Sequence, residues 1–109
     1  MTPKQFAKFL DRDQTCWHCG AATKLVPHHR INRGMGGSKA RHTPSNVIVM
    51  CAEINLLMES DPVMARQARR YGWKLESWRD STKAPVYRYG GDWYVLDDSF
   101  GIGKYVGDL

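Results

Sequence analysis

Two adjacent histidines, His28 and His29, end a short apolar segment and are followed at once by Arg30. Asn46 and Asn55 stand farther along, one on each side of the apolar run Val47-Ile48-Val49-Met50. An imidazole can bind a metal or take a proton near neutral pH, and a carboxamide can hold a loop or complete a metal site. Arg30, Arg33, Lys39 and Arg41 place positive charge beside this set. Together these groups suit hydrolysis of a phosphodiester, whose transition state needs a cation at its oxygens and an acceptor for the proton of water. Taken singly, each has a plainer reading: half-exposed imidazoles, a turn-forming asparagine, a solvated helix position. Their order along the chain gives them weight as a group.

A second group carries thiols. Cys16-Trp17-His18-Cys19 is a C-x-x-C turn, and Cys51 is the third cysteine. With no export signal in view, the spacing reads as a metal knuckle or redox pair ahead of a structural disulfide.

The elements that must position these residues are short. Thr2-Pro3-Lys4-Gln5 has the chemistry of a helix start, and Phe6, Phe9 and Leu10 give it an apolar stripe to about residue 10. Residues 24–29 read as a strand that Pro27 confines to an edge. Residues 30–45, with Gly34, Gly36 and Gly37 among basic and small polar side chains, read as a long loop. Residues 47–50 form a second strand and residues 51–59 a helix bearing Asn55. Ser60-Asp61-Pro62 opens a further helix that Gly72 stops. Trp73 and Leu75 alternate with Lys74 and Glu76, and Gly90-Gly91-Asp92 joins two strands of a hairpin. Residues 98–109 have few anchors and read as a flexible tail.

A C-x-x-C, a strand ending in His-His, a glycine-rich loop, an asparagine before an apolar strand and a cysteine opening a helix with a second asparagine: this order resembles the HNH endonuclease family. The resemblance covers residues 16–59. Gly72-Trp73, and a tryptophan strand ending in Leu96-Asp97-Asp98, extend it more loosely toward a branch found in bacteriophages. It implies an α+β fold: a ββα-metal finger with an N-terminal helix, a C-terminal helix and small antiparallel strands. One domain would span residues 1–109, with its HNH core at 16–59 and a helix-and-hairpin extension at 61–97.

By the same resemblance, His29 is the base that activates water and His28 a ligand of a divalent metal. Asn46 fixes the loop that carries the base, and Asn55 is the second metal ligand. The ion would be Mg²⁺ or Mn²⁺, with Ni²⁺ or Zn²⁺ as alternatives that a histidine ligand accommodates. The implied activity is that of a nuclease, a hydrolase nicking or cleaving DNA, with Arg30, Arg33, Lys39 and Arg41 as DNA contacts. Family members with a structural zinc carry two C-x-x-C pairs; here Cys16, Cys19 and Cys51 match three positions and Ile54 occupies the fourth. Either His18 or His42 serves as the missing ligand, or the zinc is lost and the thiols pack as small apolar groups.

Composition agrees with an anionic partner. The 109 residues suffice for one domain and carry a net charge of +5, with a sequence pI near 9.3. Arg66, Arg69 and Arg70 read equally as DNA contacts or as a solvated surface. Trp73, Trp78, Tyr87, Tyr89 and Trp93 alternate as core residues would, rather than as a base-stacking set. No apolar run approaches the ~20 residues that span a bilayer, and the expected place is the cytoplasm, a host's if the gene is a phage's. Expected partners are DNA and, in a phage, packaging or recombination proteins, with the chain acting as monomer or homodimer. Two other functions fit less of the pattern: a DNA-binding module without catalysis, and a zinc-stabilised interaction domain.

Overall fold

The Thr2 hydroxyl accepts from Gln5 N at 3.1 Å while the Gln5 side chain accepts from Thr2 N at 2.8 Å, so both open ends of the first turn are closed. This box starts α1 (Pro3–Asp13) in a computed structural model that describes residues 1–32 and 42–107. The helix runs past the expected residue 10 because its last turn is sewn to the rest of the chain. Asp13 is buried, pairs with Arg12 at 2.6 Å and accepts from Val49 N at 3.0 Å. Arg12 also donates to the carbonyls of Pro44 and Val47, at 2.6 Å each.

β1 (Leu25–His29) and β2 (Val47–Cys51) form an antiparallel pair that sets His28 opposite Ile48 and His29 opposite Val47. All four of Val47, Ile48, Val49 and Met50 are buried. Val47 and Val49 pack with Phe9 of α1, while Ile48 and Met50 join Trp17, Met58, Trp73, Val86 and Leu96 on the other face. The β2 strand is thus covered on both sides, which explains its unbroken apolar run. Cys51 ends the strand and begins α2 (Ala52–Ser60), and Asp61 links that helix directly to α3 (Pro62–Arg70). Gly72, at φ +77°, turns the chain out of α3.

Residues 73–85 are irregular, and the alternation at 73–76 reflects burial rather than a strand: Trp73 and Leu75 are buried, Lys74 and Glu76 half-buried. A second antiparallel sheet follows, in the order β3 (Val86–Arg88), β4 (Asp92–Leu96), β5 (Ile102–Lys104). Its third strand corrects the expectation of a flexible tail over residues 98–109. Asp97 accepts from the amides of Ser99 and Gly101 and shapes a turn, β5 then pairs with β4, and Phe100 packs on Phe9 with ring centroids 5.0 Å apart. Two of the aromatics expected in the core are also placed differently, since Trp78 is 79% exposed and Tyr89 42%. The whole is a small α+β fold of three helices and two sheets among the described residues, none of whose helices is long and apolar enough to cross a membrane.

Candidate functional site

Strand pairing continues through His29, so the two histidines leave the ribbon on opposite sides. His28 turns toward α2 and is 2% exposed. Its Nε2 lies 2.7 Å from the Trp73 carbonyl and its Nδ1 lies 2.8 Å from Asn55 Oδ1. A carbonyl can only accept, so Nε2 is the donor, and in the neutral ring Nδ1 then carries a lone pair. Burial holds the ring neutral: it pulls the pKa down to about 4, assisted by the charge of Lys74 and opposed by the bonds to Trp73 and Asn55 and by Glu59. Nδ1 and the amide of Asn55, on the same side of the fold, therefore present a compact pair of neutral donors.

His29 is half-buried, and its Nε2 lies 3.0 Å from His42 Nδ1. Both histidines nonetheless border one open cleft of about 400 Å³, together with Asn32, Asn55, Glu59 and Lys74. Of these flanking groups, Asn32, Glu59 and Lys74 were not singled out from the sequence. Lys74 Nζ bonds Asn32 Oδ1 at 2.8 Å and Glu59 Oε1 at 2.6 Å, and that bond holds the Glu59 carboxyl below its usual range. The available signals were weak. Glu59 falls one turn after Asn55 on the same helix, and Lys74 immediately follows Gly72-Trp73.

Asn46 reaches across the base of the loop. Its Oδ1 accepts from Ile31 N at 2.8 Å, its Nδ2 donates to Ile31 O at 3.1 Å, and its carbonyl accepts from Arg30 N. The chain leaving β1 is thus clamped to the chain entering β2. Arg30 departs from its expected role as a DNA contact. Its side chain is fully buried and donates to the carbonyls of Gly72, Ser45, Ser81 and Ala84 at 2.9–3.1 Å. Burial lowers its pKa to about 9, which leaves it cationic at neutral pH. Its charge is spent on four carbonyls, so no N–H face is turned to a phosphate. Arg33, Lys39 and Arg41 lie outside the described residues.

The three cysteines come together away from the residues that line this cleft. The sulfurs of Cys16, Cys19 and Cys51 all lie within 4.8 Å of one another, with Cys19 and Cys51 at 4.0 Å, so the cluster could hold a metal ion. Neither histidine proposed to complete it does so. His42 sits against His29. His18, although inside the knuckle, packs its ring against Trp73 at 5.1 Å between centroids, and its buried Nδ1 has no hydrogen-bond partner among the described residues. Ile54 packs against the main core.

Comparison with family models, with curated proteins and with solved structures gave no match.

Proposed function

We propose that this protein is an HNH-type, metal-dependent endonuclease with a ββα-metal finger, and that β1, β2 and α2 form that finger. The observation that carries the reading is the His28 Nδ1–Asn55 Oδ1 pair. With Nε2 committed to the Trp73 carbonyl and the ring held neutral, two lone-pair atoms face each other at 2.8 Å. A cation relieves that juxtaposition, and a neutral N,O donor set fits a divalent ion such as Mn²⁺ or Mg²⁺. Bound there, the ion would supply Lewis acidity to a phosphate oxygen and the leaving group. Because both ligands are neutral, they leave its charge undiminished.

The protein's own groups do the rest. His29 accepts the proton of the attacking water, and His42, 3.0 Å from its Nε2, shares that proton. Asn46 and Arg30 keep the strand end in register, the first by clamping Ile31 and the second by tying four carbonyls together. Lys74, tied to Glu59 and Asn32, braces the edge of the cleft. The net charge of +5 favours the approach of DNA. The cluster of Cys16, Cys19 and Cys51 suits Zn²⁺ in a structural role, since thiolates are its preferred ligands.

Incubation with supercoiled plasmid and Mn²⁺ or Mg²⁺ tests the proposal. Nicked or linear product is expected from the wild type, and His29→Ala should lose at least about a hundred-fold in rate, the usual share of a general base. Equal cutting by both proteins would remove His29 from the mechanism. One observation favours a second reading, a DNA-binding module without catalysis: the His28 ring is 2% exposed, and its Nε2 is already committed to the Trp73 carbonyl. That reading expects salt-sensitive DNA binding and intact plasmid with every metal.

A further inference from the structure

A second cleft, of about 450 Å³, shares the segment 72–75 with the histidine cleft. Lys74 borders the first cleft, whereas Gly72 and Leu75 border the second. Arg69, Arg70 and Arg79 line it against the half-buried rings of Tyr71 and Trp93, which lie 6.0 Å apart between centroids. One carboxylate, Glu76, stands 3.7 Å from both Arg69 and Arg79, so among the described residues three guanidinium groups share one paired carboxylate. Those pairs are loose and exposed, with Arg69 62% and Arg79 37% open to solvent. Trp78, next to Arg79 in the chain and outside the lining of the cleft, is 79% exposed, with the Arg79 guanidinium 5.6 Å from its ring centroid.

With 79% of its surface in water, Trp78 adds little to the core and leaves an indole available beside the arginines. Arginine with an open aromatic face is the combination that holds unpaired nucleic acid: the cations track phosphates and the ring stacks on a base. We propose that this cleft is a subsite for a single-stranded nucleic-acid segment, with phosphates on Arg69 and Arg79 and a base on Trp78. The subsite rests on the endonuclease reading only for the direction of the strand, which would cross residues 72–75 from the histidine cleft.

Binding of fluorescein-labelled oligothymidine to the whole protein in EDTA tests the subsite apart from any cleavage. Trp78→Ala is expected to weaken binding at least about five-fold, with Trp78→Phe recovering most of the loss. The double variant Arg69→Gln, Arg79→Gln should lower the slope of log affinity against log salt by about 0.7 for each arginine removed. All the altered side chains are exposed or half-exposed, so thermal midpoints should match the wild type. Unchanged oligothymidine binding in both variants would overturn the proposal. So would a Trp78→Ala loss equally large for a blunt duplex, because a paired base offers no face to stack. If the oligothymidine results hold while plasmid stays intact with every metal, the endonuclease reading fails and the subsite stands. If plasmid is cut and all variants bind oligothymidine alike, the reverse is true.

Discussion

At the scale of single residues, the histidines were equivalent in composition and become different by environment. His28 is enclosed, with one nitrogen on a backbone carbonyl and the other on Asn55, whereas His29 stays half-open beside His42. Burial has a thermodynamic consequence for His28. Its folded pKa of about 4 lies below the unfolded value of about 6.5, so the unfolded chain binds the proton more readily. The stabilising effect of keeping it neutral is complete above pH 6.5 and disappears as the pH falls toward 4. A gap of that size corresponds to roughly 3 kcal/mol across the window. Denaturant midpoints of the metal-free protein should therefore drop steeply between pH 6.5 and 4.5. His18, also held down by burial, acts in the same direction, so the share due to His28 is the difference from His28→Gln, which should show a flatter profile. Parallel profiles for the two proteins would mean that His28 is not the group being titrated.

At the scale of elements, local chemistry was legible where it was strong. The Thr2–Gln5 box, the unbroken apolar β2 strand, the Asp61-Pro62 start and the Gly90-Gly91 turn all came through in the sequence and in the fold. What stayed hidden depends on long-range partners. Arg30 sits in a basic, glycine-rich context that looks like a DNA-facing loop, and only its contacts with residues 42 to 54 positions away reveal a brace. Likewise the pairing of β5 rests on a turn around Asp97 that short-range hydropathy does not announce. The asparagines were legible as positions, and the clamp on Ile31 and the contact with His28 supply their physical roles. Gly72 shows how sharply one element end is specified. Its φ is +77°, and a Cβ there would lie 2.1 Å from the Pro85 carbonyl oxygen, while its own carbonyl accepts from Arg30. Gly72→Ala adds left-handed strain of about 1–2 kcal/mol to a clash with backbone that cannot rotate away. A loss of at least about 2 kcal/mol in urea unfolding is expected. Gly91→Ala, at φ +108° with open space around it, should cost less. Equal losses would show that the contact with Pro85 is relieved at no cost.

At the scale of the whole molecule, the cysteine cluster joins parts that are far apart in sequence. Cys16 and Cys19 lie on the turn after α1, and Cys51 lies at the joint between β2 and α2, one helical turn before Asn55. An ion held there by three assembled sulfurs favours the folded chain over the unfolded one, so it raises stability by mass action, by at most roughly 2.7 kcal/mol at a hundred times its dissociation constant. It would also fix the start of the helix that presents Asn55 to His28. Zn²⁺ is therefore expected to raise the thermal midpoint of the chain, and a strong chelator to lower it again. Ile54 supplies the sharper test, because it stands one turn beyond Cys51 and packs against the main core. Ile54→Cys removes apolar volume, which should lower the midpoint without metal by the equivalent of about 1–2 kcal/mol. With Zn²⁺ the same variant gains a fourth thiolate near the other three and should exceed the wild type. Opposite shifts in the two conditions require a metal at these sulfurs. If Ile54→Cys lowers the midpoint equally with and without Zn²⁺, the three thiols are acting as small apolar groups and the cluster holds the knuckle to the helix by packing alone.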